Sequence, residues 1–94
     1  MQNTSQMTTE EIAKAAHEVM HVYCAAIGEP ILAWDEMTEL FRNHAIDSAT
    51  FRLENPDVPF LEFNHSTGEP LTNTQRTMWL IHTTVINALS HRWA

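Results

Sequence analysis

Three stretches of this chain alternate apolar and polar positions with a helical period, and one stretch has no period. In the first, Ile12, Ala16, Val19, Met20, Tyr23 and Ile27 recur at helical spacing. One face of that helix is therefore apolar. Thr8 followed three residues later by Glu11 forms a capping box, which places the start near Thr9. Gly28 and Pro30 end the helix. The second begins near Trp34 or Asp35, with Asp35, Glu36 and Glu39 in its first turns, where acids favour the helix dipole. Met37, Leu40, Phe41, His44, Ala45, Ser48 and Phe51 share one face. The helix is expected to end near Leu53, ahead of Asn55-Pro56. The third starts near Thr74, with Thr72 and Gln75 as a second capping box. Its apolar face is Met78, Ile81, His82, Val85, Ile86, Leu89 and Trp93, and Leu80 projects from the opposite side.

Residues 55–73 hold three of the four prolines and one of the two glycines, so they read as a long irregular loop with a short extended piece at Phe60–Phe63. The pattern predicts an all-α fold: a small bundle of three amphipathic helices with that loop between helices 2 and 3. Residues 9–94 form the single domain and residues 1–8 a flexible N-terminus. Apolar positions left over, such as Leu80, predict a homo-oligomer.

Composition narrows the function classes. At 94 residues the chain suits one domain with one modest core. The net charge of −7 argues against general binding to nucleic acid or to anionic membranes. It leaves room for a small anionic ligand, which needs one or two arginines and some backbone N–H groups. Cys24 has no second cysteine to pair with, and the N-terminus has neither the basic start nor the apolar run of a secretion signal. A cytoplasmic protein is expected.

The most specific motif is H-E-V-M-H, His17 to His21. On a helix, histidines four apart can bind zinc while the glutamate, here Glu18, acts as general base. The first helix's apolar stripe centres between Val19, Tyr23 and Ile27. That puts His17 roughly 100° and His21 roughly 150° from the centre, on the flank or solvent side. Glu36, Glu39 and His44 are the candidates for a third ligand, and none fits well. The expectation is a surface pattern, with no catalytic residue, no metal and no cofactor. A zinc site is the minor alternative.

The run AAHEVMHVYCAAIGEP, then W-D-E-M and FRNHAIDSATFRLENPD, resembles the opening half of small phage and prophage proteins with a ryanodine-receptor-type domain. His17, Glu18, Tyr23, Cys24 and Gly28 carry the resemblance in the first helix, and Trp34, Asp35 and Glu36 at the start of the second. Asn55, Pro56 and Asp57 follow, then Asn64-His65, then Leu71, Gln75 and Arg76 ahead of the apolar run Trp79 to Leu89. It covers about residues 10–90, without the family's central Gly-Trp-x-Tyr-Gly block and Lys-rich segment.

The resemblance implies a non-catalytic ligand-binding protein in the cytoplasm of an infected bacterium. Such a protein would be an oligomeric sponge for a nucleotide immune messenger of the cyclic oligonucleotide or cyclic ADP-ribose type. On that reading Trp34, Trp79 and Tyr23 are candidates for base stacking. Arg52, Asn64, His65, Thr67 and Arg76 are candidates for polar contacts, and Thr72 to Gln75 offer a helix N-terminus to an anion. The plainer readings are core or interface roles for Trp79 and Tyr23, an Arg52–Glu54 pair, and an ordinary turn at Asn64–Gly68. The competing function is a small structural or adaptor protein that binds other proteins through its helix faces. His44 and His82 lie inside apolar stripes, either as neutral core histidines or as a pH-sensitive or ligand-facing pair.

Overall fold

The computed structural model describes residues 6–58 and 67–92. They form α1 (Thr9–Ala26), a 3-10 turn (Trp34–Glu36), α2 (Glu39–Glu54), α3 (Asn73–Leu89) and a closing 3-10 turn (Ser90–Arg92). The described residues contain no β-strand beyond isolated bridge positions. The chain is a small all-α three-helix bundle, as the periodicity predicts. No described helix is long and apolar enough to cross a membrane.

Local chemistry sets the helix ends. Thr8 Oγ1 accepts from the Glu11 N–H at 3.1 Å and Glu11 Oε1 accepts from the Thr8 N–H at 2.8 Å. The same exchange joins Thr72 and Gln75, at 3.1 and 3.0 Å. Each box satisfies two N–H groups that an α-helix leaves without partners. At the other end of α1, Glu29 N–H donates to the Cys24 carbonyl and Gly28 N–H to the Ala25 carbonyl. This is a Schellman closure, and it needs the left-handed φ of 77° that Gly28 supplies. The second helix starts later than the sequence suggests. Trp34–Glu36 close a 3-10 turn, and Thr38 then caps α2 through the Phe41 N–H at 3.3 Å.

α1 is the central element. α2 and α3 both pack on it and touch each other much less. α1 and α3 run antiparallel. The Met7 N–H donates to the Arg92 carbonyl at one end, and the Thr74 hydroxyl donates to Glu29 at the other. Met7 also packs against the core, so the folded unit begins ahead of α1. The core is Ile12, Ala13, Ala16, Trp34, Ala49 and Ile86, with Met37, Ala45, Ile46, Leu53, Val85 and Leu89 packed around it. Three of these six core residues are alanines, and such small side chains let helix backbones approach while larger ones fill the space alongside.

That choice of small residues rotates two helices away from their expected faces. α1 buries Ile12, Ala13, Ala16, His17 and Cys24, while Val19 and Ile27 are exposed. The core stripe lies roughly 60° round the helix from the expected one, and the rotation brings His17 inside. α2 turns further. It packs through Ala45, Ile46, Ala49 and Leu53, while Leu40, Phe41 and Phe51 stand 61%, 56% and 50% exposed. The face expected to be core is thus largely a surface. α3 keeps its expected face, with His82 and Ile86 buried and Leu80 exposed. Trp93 and the Phe60–Phe63 piece lie outside the described residues.

Candidate functional site

Because α2 and α3 pack on α1 more than on each other, a groove of about 280 Å³ opens between them. His44, Ala45 and Ser48 line it from α2, Gln75, Met78, Trp79 and His82 from α3, and Met20 from α1. The lining is mainly apolar. An aromatic–histidine pair stands on each wall. Trp79 and His82 meet edge to face with centroids 5.7 Å apart, and Phe41 and His44 do the same at 6.3 Å. The spacing is i, i+3 in both pairs, so each ring is braced by a neighbour one turn along its own helix. Trp79 is 45% exposed, so one part of the indole packs and the rest meets solvent.

The two groove histidines differ in kind. His44 is exposed. His82 is buried, and its pKa is lowered to about 4, first by desolvation and then by the positive charges of His17 and Arg52. It is therefore a neutral imidazole at pH 7, with one nitrogen that donates and one that accepts. Gln75 is already committed, since its side-chain oxygen accepts from the Thr72 N–H.

The H-E-V-M-H segment serves the fold. His17 is buried, not on the solvent side as its distance from the expected stripe suggested. Its Nε2 lies 2.7 Å from the Leu32 carbonyl oxygen. A carbonyl only accepts, so Nε2 carries the proton and donates. The ring also meets Trp34 edge to face at 5.9 Å. His17 thus pins the 27–38 connection onto the middle of α1. Glu18 is exposed beside Lys14, 4.0 Å away, and His21 is half-buried on the polar side. Glu36, a candidate third ligand, instead accepts from the Ala33 N–H. Among the described residues no group of three His, Cys, Asp or Glu side chains converges as metal ligands.

The expected ligand residues that the structure describes have separate local settings. Trp79 lines the groove, and Arg76 is exposed one turn earlier on α3. Trp34 is a core residue with no face open to a stacked base, and Arg42 donates to its carbonyl and to that of Met37. Tyr23 is half-buried on the flank of α1. Arg52 donates to the Val58 carbonyl at 2.6 Å, which holds the start of the long connection against α2. The Thr67 hydroxyl accepts from the Glu69 N–H and stabilises the turn at Gly68. The N-terminus of α3 is capped by its own box and faces the Glu29 carboxylate through Thr74, a poor setting for an anion. Asn64 and His65 lie outside the described residues.

Cys24 is buried in the last turns of α1, and burial, aided by the charge of Glu29, pushes its thiol up from its ordinary value. It behaves as a small apolar residue, not as a nucleophile.

The groove residues Met20, Ala45, Ser48 and Met78 carry no chemical signal that sequence alone would single out. His44 and His82 did stand out, as polar residues inside apolar stripes. Compared with family models, curated proteins and solved structures, the chain matches none.

Proposed function

We propose that this chain is a non-catalytic binding protein whose working surface is the α2–α3 groove, and that it docks an apolar segment of another polypeptide there. One observation carries the reading: the splayed helices leave a groove flanked by Trp79 and Phe41, continued by exposed Leu40, Phe41 and Phe51 on α2. Contiguous exposed apolar surface of this kind marks interaction sites. Aromatic anchors of limited mobility are the residues that concentrate binding energy at protein interfaces. A helix laid in a groove supplies matching side chains at i, i+3, i+4 and i+7. The test is a selection of helical peptides against the wild-type chain and against Ser48→Arg, whose long side chain occupies the groove. Peptides that bind the first and lose the second are expected. Binders indifferent to Ser48→Arg would place the working surface elsewhere.

A second reading keeps the groove and changes the guest. Trp79 offers part of its indole to a planar ring, and Arg76 one turn away offers a guanidinium to a phosphate. The resemblance of residues 10–90 to phage ryanodine-receptor-type proteins supports the same choice, an oligomeric sponge for a nucleotide messenger in an infected cell. A thermal-shift screen over cyclic dinucleotides, cyclic trinucleotides and cyclic ADP-ribose isomers tests it. A ligand present above its dissociation constant raises the melting temperature by mass action. A shift that Trp79→Ala abolishes supports this reading, and no shift with any of them removes it for those ligands.

A further inference from the structure

We infer that the occupant of the groove is a second copy of this chain, which inserts the outer ridge of its α1. The inference rests on the proposal that the groove is the working surface, and names its partner. α1 carries apolar residues on two faces. One is the core stripe. The other is Ala15, Val19, Val22 and Ala26, spaced four, three and four apart along the opposite side of the helix. This is the a/d spacing of a helix seam, and Val22 stands 68% exposed at its centre, with no described helix covering it.

Charge selects where such a ridge can land. The chain is strongly acidic, with a net charge of −7, so most surfaces of one copy repel most surfaces of another. α1 carries Glu10, Glu11 and Glu18, the turn before α2 carries Asp35 and Glu36, and α2 carries Glu39, Asp47 and Glu54. Among the described helices and turns, only α3 and the Ser90–Arg92 turn hold no acid, and they present Arg76, His91 and Arg92 instead. The ridge itself is lopsided. Glu11 and Glu18 flank one side, with Lys14 ion-paired to Glu18, and neutral Tyr23 flanks the other. Its acidic flank matches the α3 wall of the groove near Arg76. Its neutral flank matches the α2 wall, where Phe41 and His44 stand and Asp47 would repel an acid. Both match in one orientation only.

Met20, which lines the groove, lies on the core side of α1 and the ridge lies on the other side, so two copies related by a two-fold axis cannot seat both ridges at once and the contact is head-to-tail. Repeated, it closes into a ring or grows as a filament, and it does not stop at a two-fold dimer.

Light scattering on the purified chain, with two blocked variants, tests this. Ser48→Arg fills the groove, and Val22→Glu puts a charge on the ridge at an exposed position that folding does not use. Circular dichroism confirms that each stays helical. If Ser48→Arg does not fold, Arg76→Glu on the groove rim replaces it. The wild type is expected to run as a species of three or more chains, and each variant as a monomer. Mixed in equal amounts, the two variants are expected to pair, because one retains its ridge and the other its groove. A mixture that stays monomeric overturns the head-to-tail contact. So does a wild-type dimer broken by Ser48→Arg but not by Val22→Glu, which would mean groove against groove. A monomeric wild type that still binds the selected peptides removes the second copy and leaves the groove standing. An oligomer insensitive to both variants, with peptide binding also insensitive to Ser48→Arg, removes both.

Discussion

Replacing His17 with alanine is expected to destabilise the fold by roughly 2–4 kcal/mol, although the residue looks like half of a metal motif. Two losses add up. The Leu32 carbonyl loses the imidazole N–H that lies 2.7 Å away in a half-buried setting, which costs about 1–3 kcal/mol when the acceptor is left without a partner. The edge-to-face contact with Trp34, at 5.9 Å, is worth about 0.5–1.5 kcal/mol beyond its buried area. His17→Phe keeps a ring against Trp34 and removes only the donor, so it is expected to recover the smaller part. His21→Ala, on the polar side of the same helix, is expected to stay within about 0.5 kcal/mol of wild type. Urea unfolding at neutral pH measures all three, with the shift in midpoint at constant slope reporting stability. The reasoning is refuted if His17→Ala unfolds at the wild-type midpoint, or if His21→Ala costs as much. A zinc-dependent rise in the wild-type melting temperature, lost equally in both alanine variants, would restore the metal reading.

Other outcomes follow from single observations. His82 has a folded pKa lowered to about 4 against an ordinary 6.5. Its neutral form is the one the fold accepts, so its contribution is complete above pH 6.5. It is lost as pH falls from there towards 4, because the unfolded chain takes up the proton first. The loss amounts to about 3 kcal/mol across that window, and His82→Leu is expected to flatten the wild-type stability curve there by a similar amount. Thr8→Ala and Thr72→Ala each remove one side of a capping box and are expected to cost about 1 kcal/mol in thermal or urea melts. Gly28→Ala forces a side chain onto a φ of 77° and is expected to destabilise by about 1 kcal/mol. Buried Cys24 is expected to react with a thiol reagent at the rate of chain opening, so urea accelerates labelling steeply.

The helix ends were legible because they depend on residues close in sequence. Thr8 with Glu11, Thr72 with Gln75, and Gly28 ahead of Pro30 act locally, and the structure uses each as the spacing implies. The faces were harder to read because they depend on what packs opposite. α1 is apolar around most of its circumference, so its wheel has no single centre. The large side chains Val19, Tyr23 and Ile27 drew the expected stripe towards themselves. The structure instead buries Ala13, Ala16 and Cys24, small groups that let α2 and α3 come close, and gives His17 a carbonyl to satisfy it. In α2 the same preference turns Ala45 and Ala49 inward and leaves Phe41 and Leu40 outside. The groove follows from those two rotations. It depends on how far apart α2 and α3 stand on α1, a distance that no stretch of sequence encodes by itself. Trp79 was legible as an aromatic of interest. Its partnership with the α2 wall was not.

The central claim is that the α2–α3 groove is where this chain binds, and fluorine NMR of the chain labelled with 5-fluorotryptophan tests it most directly. Trp79 lines the groove and Trp34 is sealed in the core of the same molecule. The spectrum is followed as the chain is concentrated from monomer to assembly, beside a Ser48→Arg control. The Trp79 line is expected to move with concentration while the Trp34 line stays fixed, and neither is expected to move in the control. A Trp79 line that holds its position while the mass rises, or that moves just as far with the groove filled, would contradict the claim.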